Sequence, residues 1–471
     1  MGNFQAITIV AARPGATHSR RPGARAALLA LAGVGGGFGF AADAEASAFF
    51  VREQSAAAMG NAFAGATAGA EDVTYMFYNG AALGHIDGSQ AAGVTTYVLS
   101  SAKFRDGEAT TVQGVPVAGS EGGRNAGTAS LIPALYAVWD VSDAVEALHG
   151  IRLGLAVNAP FGFETDYQAD WIGRYQAVHS RIQSLAFNPV LAVDPLEDLT
   201  LAIGLQAQQL DAKLTNAVDF GTIGAVSGVP GAQPTRQDGF SKLVGDDWGF
   251  GWTAGVLYEP EPGTRFGVGY RSAIRHEIRG DARLQLDDAG IGAAVGAQGG
   301  TTKAKAKLTT PDVVSFGAHY EIDDAWAVMA EATWTRWSRF RTLRVKFDGS
   351  GQPDDVTEQD WRDTWFLAVG GSWRPAEDWT LRSGVAYDQS PARNKTRTPR
   401  TPINNGIMLA IGAEYRVLPQ LSIAAGYSHF FIESAQLGLR ADAPGNTFRG
   451  NLDGSSDNHV DTLSVQAVWR F

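Results

Sequence analysis

The sequence predicts an all-β fold, a 14-stranded antiparallel transmembrane β-barrel plugged by a small N-terminal hatch. Three observations predict it. From about residue 90 onward, apolar residues alternate with small or polar ones at period 2. Short turns and long connections take turns along the chain. Tryptophans recur at a spacing that sets two of them on one face of one strand, at two heights.

The alternation is clear in three places. Trp248, Phe250, Trp252, Ala254, Val256 and Tyr258 interleave with Gly249, Gly251, Thr253 and Gly255. Trp365, Leu367, Val369, Gly371 and Trp373 form a second such run, and Leu463, Val465, Ala467, Trp469 and Phe471 a third. One apolar face per strand is the pattern of a half-buried strand, and it leaves open which face meets lipid.

Read this way, the strands fall at 90–105, 129–140, 150–160, 179–194, 199–216, 247–259, 263–281, 305–322, 325–343, 362–374, 378–390, 405–417, 420–435 and 459–471. Their links alternate. Tight links such as Asp194-Pro195-Leu196-Glu197-Asp198 and Arg374-Pro375-Ala376-Glu377-Asp378 follow the even-numbered strands. Long ones such as 161–178 and 217–246 follow the odd-numbered strands. Short turns at one end and long loops at the other are the layout of an outer-membrane barrel. Trp365 and Trp373, like Trp326 and Trp334, are eight residues apart. On a tilted strand that spans roughly 20 Å, close to the height of an apolar band between aromatic girdles.

Composition narrows the function classes. The chain has 471 residues, no cysteine and a formal net charge of −11. Without cysteine there are no disulfides, thiolate metal sites or cysteine nucleophiles. An acidic balance argues against nucleic acid as a partner. No uncharged apolar run long enough for a membrane helix appears after residue 50.

The first 46 residues read as an export signal. Arg13, Arg20, Arg21 and Arg25 precede an apolar run from Ala26 to Phe40, and Ala44-Glu45-Ala46 fits a small-x-small cleavage site. The expected domains are therefore a signal over 1–46, a hatch over 47–89 and a barrel over 90–471. The hatch region is small and polar from Ser55 to Ala70, which suits short helix and turn. Its apolar residues, among them Phe49, Phe50, Phe63 and Met76, argue against disorder.

The motifs in order resemble the FadL family of outer-membrane transporters for long-chain fatty acids and other hydrophobic compounds. Phe49-Phe50-Val51-Arg52-Glu53-Gln54-Ser55, then Met59-Gly60-Asn61-Ala62-Phe63, resemble the start of that family's hatch. Phe77-Tyr78-Asn79-Gly80-Ala81 resembles its continuation, with Gly80 where the family usually has proline. Asn158-Ala159-Pro160-Phe161-Gly162, Trp171-Ile172-Gly173-Arg174-Tyr175 and Phe187-Asn188-Pro189 resemble the third strand, its loop and the fourth strand.

The resemblance implies a monomer in the bacterial outer membrane. It implies capture of a hydrophobic ligand by the outer loops, an internal pocket gated by the hatch, and sideways release through the wall. The hatch residues are Glu53, Asn61, Asn79 and Gly80, and Phe49 corresponds to the aromatic that reaches the pocket. Phe161 and Phe163 fall where an apolar channel wall is expected. Arg174 is a candidate for a carboxylate head group, or a structural ion pair. Arg382 alternates with Trp379 and Leu381, which points it into the lumen as a second candidate or as plain lining. Pro160 cannot donate a ladder hydrogen bond. With Asn158 and Gly162 it marks either a lateral opening or an ordinary strand end. Further partners on this reading are outer-membrane lipid, lipopolysaccharide and the barrel assembly machinery, the last because Phe471 closes an alternating strand.

Enzyme readings find no support. There is no Gly-x-Ser-x-Gly elbow and no His-Glu-x-x-His pair. No metal site and no cofactor is expected, and His276-Glu277 reads as a pair facing the lumen. A general diffusion porin for polar solutes is the alternative function, and the hatch-like segment speaks against it.

Overall fold

The computed structural model describes residues 48–471 except 121–124, 144–148 and 349–352. The expected signal over 1–46 lies outside the described residues. Strands β1 to β5 are Gln90–Thr110, Ala129–Asp140, Ile151–Asn158 with Gly162–Asp166, His179–Leu196 and Leu199–Asp219. Strands β6 to β9 are Asp238–Glu261, Thr264–Arg271 with Arg275–Gln285, Gly300–Thr309 with Val313–Glu321, and Trp326–Thr335 with Thr342–Asp348. Strands β10 to β14 are Asp355–Glu358 with Thr364–Ala376, Trp379–Asp388, Gly406–Leu418, Leu421–Ile432 with Ala435–Leu439, and Asn451–Arg470.

Each strand pairs antiparallel with the next, and β1 pairs with β14 from Gln90↔Arg470 to Thr110↔Asn451, which closes the 14-stranded barrel. Closure leaves no sheet edge to expose unpaired backbone to lipid.

The period-2 pattern resolves into an outer and an inner face. Trp248, Phe250 and Trp252 point outward and are exposed, as are Trp365, Leu367, Val369 and Trp373. Trp326 lies opposite Trp373 and stacks on it at 5.5 Å, while Trp334 lies opposite Trp365, so the two heights of tryptophan run across neighbouring strands. The small inward residues have a packing reason. A Cβ at Gly384 would overlap the Asn61 carbonyl, and one at Gly255 would overlap the Asn79 side chain.

Several strands reach further outward than their alternation suggests. β6 starts at Asp238 rather than near 247, because it stays paired with β5 up to Asp219↔Asp238. β14 starts at Asn451 rather than near 459. Above the apolar belt the outward residues are polar, so hydropathy alternation fades while the ladder continues.

The segment from 48 to about 86 packs against the inner wall on many strands. Helix α1, Ala56–Gly60, starts at Ser55, whose hydroxyl accepts from the Ala58 amide, a standard way to satisfy a first-turn donor. Two 3-10 turns follow, Val73–Phe77 and Gly80–His85, capped by the side chains of Asp72 and Asn79. The wall holds these turns through polar lumen groups. Gln466 accepts from the Ala56 amide at 3.0 Å and donates to Asp72 at 2.7 Å. Glu331 accepts from the Thr67 amide at 3.0 Å. Asn79 donates to the carbonyls of Thr67 and Val256.

Candidate functional site

Phe49 sits at the centre of an aromatic box. Its ring lies 4.7 Å from Trp337, 5.8 Å from Phe161 and from Trp361, 6.1 Å from Phe340 and 6.2 Å from Phe163. Aromatic pairs in this range contribute ~0.5–1.5 kcal/mol each beyond burial. The ring is buried at 1% exposure.

An apolar cavity, partly open to solvent, continues from this box. Ile182, Leu214, Leu243, Ile278, Leu308 and Leu343 line it, and Phe49 forms one wall. Such a space, with few polar groups in it, suits a hydrophobic ligand.

Arg400 stands on the same cavity. Its guanidinium donates to Ser180 Oγ at 2.8 Å, to the Thr215 carbonyl at 3.4 Å and to Asn216 Oδ1 at 3.4 Å. Among the described residues no carboxylate lies within 4.0 Å of it. Burial pushes its pKa down to about 9, and the nearby Arg449 adds to that, against the pull of the Asp355 carboxylate, which is itself paired with Arg449. A half-buried cation whose hydrogen-bond partners are all neutral gains when an anion joins it.

The two arginines singled out from sequence are placed elsewhere. Arg174 pairs with Asp238 at 2.8 Å, donates to the Ala118 carbonyl and to the Tyr175 hydroxyl, and stacks over the Tyr175 ring. It pins its loop and does not line the cavity. Arg382 points into the lumen against Glu414 at 2.7 Å, beside Gly60 of the N-terminal segment. His276 is fully buried and meets Gln208 at 3.0 Å. Glu277, read with it as lumen-facing, points outward instead, since successive strand residues face opposite sides.

Arg400 gave no periodic signal. One signal could have found it: Arg393, Lys395, Arg397 and Arg400 follow one another with no acid between Asp388 and Glu414. Trp337, Phe340 and Trp361 were also missed, because they lie between strand segments, where alternation does not apply.

β3 is interrupted beside the aromatic box. Its ladder to β2 runs from Asp140↔Arg152 to Leu135↔Val157 and stops there. β2 continues from Ala134 to Ala129 on β1 alone. The backbone of 159–162 turns to other partners. The Pro160 carbonyl accepts from the Val51 amide at 2.9 Å, and the Gly162 amide donates to the Phe49 carbonyl at 2.9 Å. Gln54 Nε2 donates to the Ala159 carbonyl at 2.9 Å. Asn158 accepts from Asn188 at 3.2 Å. The first hatch residues thus lie as a short antiparallel bridge, Phe50↔Phe161, against the broken strand.

The remaining hatch residues are structural in placement. Asn61 bonds the Ala64 carbonyl at 3.0 Å. Gly80 opens a 3-10 turn so close to β4 that a Cβ there would come within 2.9 Å of Val190. That contact accounts for glycine where proline would otherwise suit a first turn. Glu53 is enclosed, its Oε2 without a hydrogen-bond partner. Burial pushes its pKa up to about 7, against its own backbone amide and Arg52.

A family model described as outer membrane protein transport protein (OMPP1/FadL/TodX) matches residues 38–471. The chain belongs to this family. It is an outer-membrane transport protein, and its site is in the bacterial outer membrane. A relative from Neisseria meningitidis serogroup B is 31% identical over 92% of this chain and 96% of its own. The long-chain fatty acid transport protein of Escherichia coli O6:H1 is 26% identical over 81% of this chain and 86% of its own. The crystal structure of a Pseudomonas aeruginosa FadL homologue superposes with a TM-score of 0.82 at 27% identity, covering 90% of this chain and 100% of that one.

Proposed function

We propose that this outer-membrane transport protein takes up a long-chain fatty acid or a similar hydrophobic molecule carrying an acidic head. The outer loops capture the ligand, the hatch gates an internal pocket, and the ligand leaves sideways between β2 and β3. The observation that carries this reading is the pairing of Arg400 with an apolar cavity whose wall is Phe49. An alkyl chain gains ~0.8 kcal/mol per CH₂ on leaving water, and a carboxylate supplies the anion that Arg400 lacks.

Entry of the chain into the aromatic box displaces Phe49. The Phe49 carbonyl and Val51 amide are tied to Gly162 and Pro160, so that displacement loosens the bridge at the wall. The ladder is absent just there, above Leu135↔Val157. A ligand passing between β2 and β3 enters lipid directly, whereas an aqueous pore offers an apolar molecule no favourable path. In this scheme Asn158, Pro160 and Gly162 frame the opening, Phe161 and Phe163 line the approach, and residues 47–89 act as the gate.

Cells without their own fatty-acid transporter, expressing this chain, test it. They should accumulate a labelled long-chain fatty acid well above a vector control, and an Arg400→Gln variant should restore little of that. Uptake no greater than the control contradicts the proposal.

A further inference from the structure

The chain is acidic overall, yet one outward face of the barrel is strongly basic. Arg279 on β7, Lys305 on β8 and Lys346 on β9 stand directly opposite one another across three strands. Like charges at opposed positions repel. Carboxylates answer only part of this charge: Glu277 lies 3.0 Å from Arg279, Asp348 3.0 Å from Lys305 and Asp281 2.7 Å from Lys303, while Asp246 on β6 is opposite Arg279. Among the described residues Lys346, Lys307 and Arg275 have no carboxylate within 4.0 Å. The patch is open to its surroundings, with the Arg279 side chain 74% exposed. The alternate residues Ile278, Ala304 and Val345 are buried on the inner side. The folded chain therefore spends its inner face on packing and leaves a row of cations on the outside without sufficient anions.

The height of the row is fixed by register. Asp246 on β6 is opposite Arg279, and the apolar belt on β6 is marked by Trp248, Phe250 and Trp252, with Phe250 75% exposed. Two residues separate Asp246 from Trp248 at the outer edge of that belt, which on a tilted strand is roughly 5 Å. The cations thus stand outward of the belt, on the side of the long loops. The long loops of an outer-membrane barrel are extracellular, so a phosphate layer at this end belongs to the outer leaflet, whose characteristic lipid carries its phosphates on sugars.

We propose that this face is a docking site for lipopolysaccharide, with sugar phosphates seated on Arg279, Lys305 and Lys346 and acyl chains along the belt below. Guanidinium and ammonium groups grip phosphate by charge-assisted hydrogen bonds, and several cations in one plane match several phosphates.

The test is native mass spectrometry of the purified full chain in detergent, titrated with three probes: phosphorylated lipopolysaccharide, the same material dephosphorylated, and phosphatidylglycerol. Phosphorylated lipopolysaccharide should bind at least tenfold more tightly than either of the others. The triple variant Arg279→Gln, Lys305→Gln, Lys346→Gln should lose at least fivefold of that affinity and leave binding of the dephosphorylated form unchanged. Equal binding of the two lipopolysaccharides, equal binding of phosphatidylglycerol, or an unaffected folded variant each overturns the assignment. Lys346→Gln alone breaks no ion pair and carries the comparison, with a smaller loss expected, should the triple variant not fold.

Discussion

The Val51 amide donates to the Pro160 carbonyl at 2.9 Å. The hatch is thereby tied to the wall where the β2–β3 ladder has already stopped. A backbone carbonyl facing away from its ladder needs another partner, and here the partner belongs to the segment that holds Phe49 in the aromatic box. Pocket and gap are two ends of one short piece of chain.

Phe49→Ala should therefore be felt at the wall. Removing a buried phenylalanine costs ~3–5 kcal/mol when the site cannot collapse. The Val51 and Gly162 amides should exchange with deuterium at least tenfold faster, while amides in the β5–β6 ladder keep their protection. Unchanged exchange at Gly162 would show that the box does not hold the bridge.

Arg400→Gln should weaken binding of a long-chain fatty acid by about 10- to 100-fold, the range for a lost hydrogen bond to a charged group. A fatty alcohol of equal length should bind both proteins alike. Arg174→Gln should leave both affinities unchanged, since Arg174 is engaged with Asp238 and Tyr175 away from the cavity. A calorimetric titration of each ligand separates these outcomes.

Hatch docking should weaken as pH rises from about 5 to 8. Burial pushes the Glu53 acid up to about 7 and, with help from Glu414, the Asp72 acid up to about 6. A raised carboxyl favours the docked, protonated form. Its contribution is complete below the ordinary range near 4.5 and lost as pH passes 7. For Glu53 the loss is on the order of 3 kcal/mol. Protease sensitivity within 48–86 should rise over that window, and Glu53→Gln should remove most of its own share.

Planar bilayers offer a further test of the plug. The intact chain should show little steady conductance, and deletion of 49–89 should open a large channel, because 14 strands enclose more space than wall side chains fill. High conductance in the intact chain would favour a general porin.

The barrel was legible because its outward face repeats every second residue against lipid, as at Trp365, Leu367 and Val369. Pro160 marks an interruption in the sequence because proline lacks the donor, and the sequence leaves open whether that is an opening or a strand end. Arg400 was not legible, since a loop carries no period and only its fold over Ser180 and Asn216 brings it to the cavity. Arg174 and Arg382 differ from it in having an acid within reach, at Asp238 and Glu414, which depends on tertiary contacts. The second proline at the gap, Pro133 on β2, carries no signal of a gap in sequence, because β2 pairs with β1 alone past Leu135.

The sideways exit is tested most directly by closing the gap. Extending the register two residues beyond Leu135↔Val157 brings Pro133 and Ala159 opposite each other. The chain has no cysteine of its own, so Pro133→Cys with Ala159→Cys places a single removable staple between β2 and β3. Uptake of a labelled long-chain fatty acid by cells is then measured before and after reduction, with crosslinking followed on a gel. The oxidised protein should still bind the fatty acid but deliver little of it, and reduction should restore delivery. Equal uptake in both states, with the crosslink verified, would contradict release through the wall at β3.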